Sequence, residues 1–131
     1  MNNQNDYNDN KKITYHEQTD ISNILKLREV LKTLPPFCRD YFRAMDPVTT
    51  TNTRISYAYD IRIFFQFLLD ENPAFKNYSL KDFTVDVLDQ LKAVDIEEYL
   101  EYLKVYKYED QVFTNDERGI KRKFSSLRSF F

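Results

Sequence analysis

Apolar residues recur along this chain mostly at intervals of three and four, the spacing that gathers side chains on one face of an α-helix. Ile21, Ile24, Leu25, Leu27, Leu31 and Leu34 follow Asp20, a residue type suited to an N-cap, and Pro35-Pro36 ends the run. This predicts a first helix at 21–33. Pro36 suits the first turn of a second, short helix in which Phe37, Tyr41, Phe42 and Met45 share a face before Pro47. Behind Thr49-Thr50-Thr51-Asn52-Thr53, the residues Tyr57, Ala58, Ile61, Phe64, Phe65, Leu68 and Leu69 form one broad stripe and predict a central helix at 52–71, stopped by Asn72-Pro73. Ile63 and Phe67 fall on its nominally wet side, so something is expected to cover them.

Residues 73–83 read as a loop, and Val85, Val87, Leu88 and Leu91 as a short helix or turn. Asp95 is placed to cap a helix at 95–107, with Ile96, Tyr99, Leu100 and Leu103 inward and Glu97, Glu98 and Glu101 wet near its positive end. After a polar loop, Thr114-Asn115-Asp116-Glu117 has capping-box spacing. Ile120, Phe124, Leu127 and Phe131 then mark the stripe of a last helix at 115–131. Arg118, Arg122, Ser125, Ser126 and Ser129 project away from that stripe, flanked by Lys121 and Arg128 on one edge and Lys123 on the other. That helix is still running at Phe131 without a cap, so a longer parent is expected. Residues 1–19, Asn-rich and aperiodic, read as a disordered polar leader, and 20–131 as one helical domain with 20–34 as an extra N-terminal helix.

Composition narrows the class. One Gly and four Pro among 131 residues disfavour β-architectures with glycine-rich turns, so an all-α fold is expected, with a core built on 11 Phe and 10 Tyr. A single cysteine, Cys38, excludes an internal disulfide, and the absence of a charged-then-apolar leader points to a reducing cytoplasm. The longest apolar runs are a few residues, against the ~20 that span a bilayer. One histidine, His16, with no cysteine near it rules out a Cys/His zinc site and a Cys–His catalytic pair, and one glycine rules out a GxGxxG loop. No cofactor, metal or catalytic set is expected, and Asp95, Glu97, Glu98 and Glu101 read as a solvated helix face.

Net charge is −2, but the average hides segregation: residues 26–62 carry seven bases and four acids, 84–117 three and ten, and 118–131 five and none. If the two basic blocks share a face, that face attracts phosphates while the acidic block points away.

Three segments bear a family likeness. Thr53-Arg-Ile-Ser-Tyr57-Ala-Tyr-Asp60-Ile-Arg-Ile-Phe-Phe65-Gln-Phe-Leu68 resembles the Thr-x-x-x-Tyr-x-x-Asp-Leu-x-x-Phe-x-x-Phe-Leu helix of tyrosine recombinases of the Xer and phage-integrase type. Val94-Asp95-Ile96-Glu97-Glu98-Tyr99-Leu100-Glu101-Tyr102-Leu103 resembles their Asp-Ile-x-x-Tyr-Leu-x-x-Leu helix. Arg122-Lys-Phe-Ser125-Ser126-Leu127-Arg128-Ser-Phe-Phe131 resembles their Arg-x-Leu-Ser-Ala-Leu-Arg-x-Phe-Phe helix. Order and spacing agree over residues 36–131; the 21–33 helix lies upstream of the usual domain start. The resemblance implies a SAM-like orthogonal bundle of four to five helices, the core-binding half of a clamp around double-stranded DNA at a recombination site. In such proteins the catalytic Arg, Lys, His-x-x-Arg and nucleophilic Tyr lie in a following domain. The parent would act as a tetramer on paired sites, and this domain alone would be a monomer without enzyme activity.

A helix entering a major groove needs polar side chains toward the bases, cations on its flanks and aromatics behind. On the central helix Asn52, Ser56 and Tyr59 are candidates for groove or sugar contacts, and Arg54 and Arg62 for phosphate. On the last helix Arg122 and Ser125 are the leading candidates, with Lys121, Ser126 and Arg128 in support. The alternative is a helical protein-interaction module docking through the end of the last helix and through Ile63 and Phe67.

Overall fold

The computed structural model describes residues 14–130. Six α-helices and one hairpin occur among them: α1 Tyr15–Leu31, α2 Cys38–Met45, α3 Thr51–Glu71, α4 Val85–Asp89, α5 Ala93–Tyr102, β1 Val105–Tyr108, β2 Gln111–Thr114 and α6 Glu117–Phe130. The fold is mainly helical, and the hairpin corrects the all-α expectation.

Helix α3 is the axis of the molecule. The Thr50 hydroxyl accepts from Thr53 N (3.2 Å), which satisfies one orphan donor of its first turn. Ile55, Ala58, Ile61, Phe64, Phe65 and Leu68 are buried along it, and α1, α5 and α6 pack against it. Of the two residues expected on the wet side, Ile63 is half-buried and Phe67 is covered. Phe67 is 3% exposed, its ring 5.3 Å from that of Tyr99 and 5.0 Å from that of Tyr102, so α5 closes this side. A partner can therefore not dock through Phe67, which corrects that part of the interaction-module reading.

Helix α1 begins earlier than its apolar spacing predicts. The Thr14 hydroxyl accepts from Glu17 N (3.1 Å), so residues 14–19, expected in the leader, form a cap and first turns. The rest of that expected leader, 1–13, lies outside the described residues. Asp20 is mid-helix; it accepts from the Thr51 hydroxyl (2.6 Å), while buried Asn23 donates to Thr51 Oγ1 (3.2 Å) and Asn52 Oδ1 (2.6 Å). These polar contacts to α3 fix a helix start that hydrophobic spacing does not mark. Helix α2 starts at Cys38, because Pro35 and Pro36 make a turn whose carbonyls accept from Cys38 N and Arg39 N.

The expected 95–107 helix runs instead over Ala93–Tyr102. Asp95 is inside it, one carboxylate oxygen accepting from Lys92 N (2.8 Å) and the other from Asn72 Nδ2 (3.0 Å). Beyond it, Val-Tyr-Lys-Tyr alternates and pairs antiparallel with β2 in the register Tyr106↔Phe113 and Tyr108↔Gln111. An isolated two-stranded hairpin is marginal in water. Tyr106 stabilises this one by stacking between Tyr102 (5.4 Å) and Phe113 (5.4 Å), and Asn115 closes its base by donating from Nδ2 to Leu103 O (2.8 Å). Thr114 is thus in a strand rather than a capping box. The α6 cap is Asp116, whose carboxylate accepts from Gly119 N (2.8 Å).

The hairpin turns on Glu109 and Asp110, both left-handed at φ 49° and 65°. A left-handed non-glycine residue costs about 1–2 kcal/mol, less for Asp, and turns of this shape prefer Asn-Gly. The double change Glu109→Asn, Asp110→Gly is expected to stabilise the domain by about 1 kcal/mol; a thermal midpoint at or below that of the parent would count against this turn geometry.

The core is aromatic, as the composition predicts. Phe65 is its hub, in contact with Phe37, Phe64, Phe83 and Phe130. Cys38 is fully buried within it, and burial pushes its thiol up to about 12, which suits packing rather than nucleophilic chemistry. Among the described residues no helix is long and apolar enough to cross a membrane, and no cluster of three metal-ligating side chains occurs.

Candidate functional site

Helix α6 packs on α3 through Leu127 and Phe130 and is tied to it at one buried carboxylate. Asp60, at the edge of the α3 apolar stripe, is 4% exposed. It receives Arg122 Nη1 on Oδ2 (2.9 Å), Arg122 Nη2 on Oδ1 (3.2 Å) and the Ser126 hydroxyl on Oδ2 (2.8 Å), while Lys123 Nζ stands 3.8 Å from Oδ1. Asp is almost never buried unless paired, and two cations and a hydroxyl meet that requirement here. Burial lowers the Lys123 ammonium from its usual range, Asp60 opposes that shift and Arg122 adds to it. One carboxylate against two cations leaves the cluster with excess positive charge.

Above this anchor, α3 and α6 bound a groove of about 380 Å³ lined by Asn52, Thr53, Ser56 and Tyr57 from one helix and Arg122, Ser125 and Ser126 from the other. Five of the ten sequence candidates therefore meet in one place: Asn52, Ser56, Arg122, Ser125 and Ser126. The Arg122 side chain is about half exposed, so its fork on Asp60 leaves further guanidinium N–H groups for an outside acceptor. Asn52 and Ser56 are exposed on α3, and Ser125 on α6. Ser126 is 1% exposed with its hydroxyl on Asp60; it holds the helix pair together and does not face outward, which corrects its expected part as a contact.

On the outer side of α6, Arg118, Lys121 and Arg128 are exposed. Lys121 pairs loosely with Glu117 (3.5 Å), and Arg128 forms no salt bridge among the described residues. An α6 flank with few carboxylates to neutralise it agrees with the charge tally for 118–131.

The other candidates lie elsewhere. Arg54, expected at phosphate, is 6% exposed; Nη1 donates to Asp46 O (3.0 Å) and Thr49 O (2.8 Å), and Nη2 pairs with Asp46 Oδ1 (3.0 Å). Two residues along a helix turn a side chain by about 200°, so Arg54 leaves α3 roughly opposite Ser56. It serves the turn that leads into α3 rather than an outside ligand. Arg62 lies between the rings of Tyr59 (5.0 Å) and Tyr108 (4.7 Å), in a groove lined also by Leu25, Lys26 and Glu29 of α1. Its guanidinium is committed to cation–π contact with the hairpin, and neither Tyr59 nor Arg62 lines the α3–α6 groove.

Sequence reasoning missed Asp60 and Lys123 as parts of this site. The available signal was an acid bordering the buried stripe of a helix, which requires a cation from another element; the i, i+4 pair Arg122 and Ser126 supplies the complement. No protein-family profile, characterised protein or solved structure matches this chain.

Proposed function

We propose that the chain is a duplex-DNA-binding domain, the SAM-like core-binding part of a site-specific tyrosine recombinase or integrase acting in the cytoplasm. Strand cleavage and rejoining would belong to a catalytic domain elsewhere in the parent protein. The observation that carries this reading is the meeting of Asn52 and Ser56 with Arg122 and Ser125 in one groove beside the cationic flank of α6. Arg122 is pre-oriented by Asp60, and a guanidinium held in place loses less freedom when it meets a phosphate or a guanine edge. Ser56, Ser125 and the N–H groups of the Asn52 amide, whose oxygen is held by Asn23, supply neutral hydrogen-bonding groups in the same groove. Arg118, Lys121 and Arg128 supply phosphate contacts on the flank.

The test is fluorescence anisotropy with a mixed-sequence duplex across a salt series. Four or five phosphate contacts give a slope of log K against log salt of about −4. Arg122→Ala should weaken binding and flatten the slope by about one if the residue meets phosphate, or relax preference at one base pair if it reads guanine. A salt-independent affinity, or no binding at low salt, would sink the DNA reading.

A further inference from the structure

A second groove, of about 600 Å³, lies elsewhere, between α1 and α2. Its two walls are helical stripes. Ile24, Leu27, Arg28 and Leu31 follow one another at i, i+3, i+4 and i+7 on α1, with Lys32 at its C-cap, and Arg39, Phe42 and Arg43 at i, i+3 and i+4 on α2. Helix α1 packs principally on α3; Leu27 and Leu31 are half-buried against the core, while Ile24 stays exposed. The groove shares no residue with the α3–α6 groove.

The floor is apolar: Ile24 is 37% exposed, Leu27 and Leu31 are half-buried, and Phe42, buried at 3% exposure, closes the bottom. The rim is cationic. Lys32 and Arg43 make only solvent-exposed pairs one helical turn away, with Glu29 and Asp40, and such pairs are weak and readily exchanged. Arg28 and Arg39 form no salt bridge among the described residues. Among the described residues Asp46 is the only carboxylate lining the groove, and it is held by Arg54.

We infer that this groove seats an acidic amphipathic helix from a partner protein, its apolar stripe on Ile24, Leu27, Leu31 and Phe42 and its carboxylates on Arg28 and Arg39. Two helical walls with an open apolar floor form the geometry in which a third helix lies down, read through anchors at i, i+3, i+4 and i+7. Phosphate alone is a poorer fit, because a DNA backbone has no apolar surface to cover that floor. The cations select against basic helices, since like charges brought together at an interface are costly.

A designed peptide of about 18 residues, five helical turns, with a Leu stripe flanked on both sides by Glu, serves as the probe. Titrated into the whole chain and followed by anisotropy, it should bind with a Kd of roughly 10–100 µM. The double variant Arg28→Glu, Arg39→Glu should weaken it by about tenfold or more, and Ile24→Ser should also weaken it. These side chains are exposed, so circular dichroism should report an unchanged fold. Equal affinity for the same peptide with Lys in place of Glu would overturn the proposal, as would an affinity unmoved by the double variant. Loss of duplex-DNA binding in the double variant, with peptide binding intact, would make the groove a phosphate surface and overturn it too. Self-association of the parent chain in sedimentation, abolished by the double variant, would assign the groove to a second copy and not to a partner.

Discussion

Asp60→Ala is expected to lower the stability of the domain by about 3–5 kcal/mol, the usual cost of removing one partner from a buried ion pair. The loss exceeds that of a surface pair because Lys123 and Ser126, unlike the half-exposed Arg122, cannot simply return to water. Lys123 is only 12% exposed and would be left without a counter-charge, while the buried Ser126 hydroxyl would keep only its long contact to Arg122 O (3.4 Å). Asp60→Asn keeps the volume but not the charge and should be nearly as damaging, since Arg122 and Lys123 would face each other without a counter-ion. Chemical denaturation followed by circular dichroism measures both variants. A loss under about 1 kcal/mol for Asp60→Ala would show that α6 is held to α3 by packing rather than by this cluster. By contrast, Lys121→Ala removes only an exposed pair and should shift stability by a few tenths of a kcal/mol.

Phe65→Ala is expected to cost a similar amount, about 3–5 kcal/mol, by a different route. Phe65 is 1% exposed, and its ring lies 5.2 Å from that of Phe83, 5.7 Å from Phe64, 6.1 Å from Phe130 and 6.4 Å from Phe37. It therefore joins α3 to the turn before α2, to the segment before α4 and to the end of α6. Truncation loses the transfer energy of the ring and leaves a cavity that four other rings, each fixed by its own neighbours, cannot all collapse to fill. Phe65→Leu, which keeps much of the volume, should cost clearly less, and equal losses for the two variants would argue that ring geometry rather than filled space is the source of stability.

The two variants bear on function in different ways. Phe65 acts on the domain as a whole, whereas Asp60 also sets the direction of Arg122. A DNA-binding measurement on Asp60→Asn, at a temperature where it is still folded, reports whether pre-orientation of the guanidinium matters beyond stability.

Much of the helical framework was legible in the residues. Period-3.6 apolar spacing located α3 to within a residue, because a helix buried along most of its length has a stripe that solvent cannot blur. The same spacing placed α6 and the short α2, and the apolar cluster around Val85 located α4. What it missed shares one property: the determinant was polar or non-local. The α1 start depends on Thr14 and on Asn23 and Asp20 reaching Thr51 and Asn52, some thirty positions away. The hairpin carries no Asn-Gly signal, and its strands survive because Tyr106 stacks on Tyr102 of the preceding helix.

The candidate site divides along the same line. Spacing correctly gathered Asn52 with Ser56 on one face of α3 and Arg122 with Ser125 on one face of α6, since positions along a single helix follow from its period alone. Whether Arg54 and Arg62 joined them depended on what else came close. Arg54 met Asp46 and two carbonyls in the turn before α3, and Arg62 met two tyrosine rings, one of them on a hairpin that the apolar pattern did not announce. A cation in a sequence is equally suited to a phosphate, a carboxylate or an aromatic face. Most helices, their apolar faces and the segregation of charge follow from the order of residues, because they are properties of neighbours in the chain. Which cations stay available to a ligand depends on the packed fold, because a charge takes the partner that folding brings within a few ångströms, and that distance is fixed by packing between distant segments.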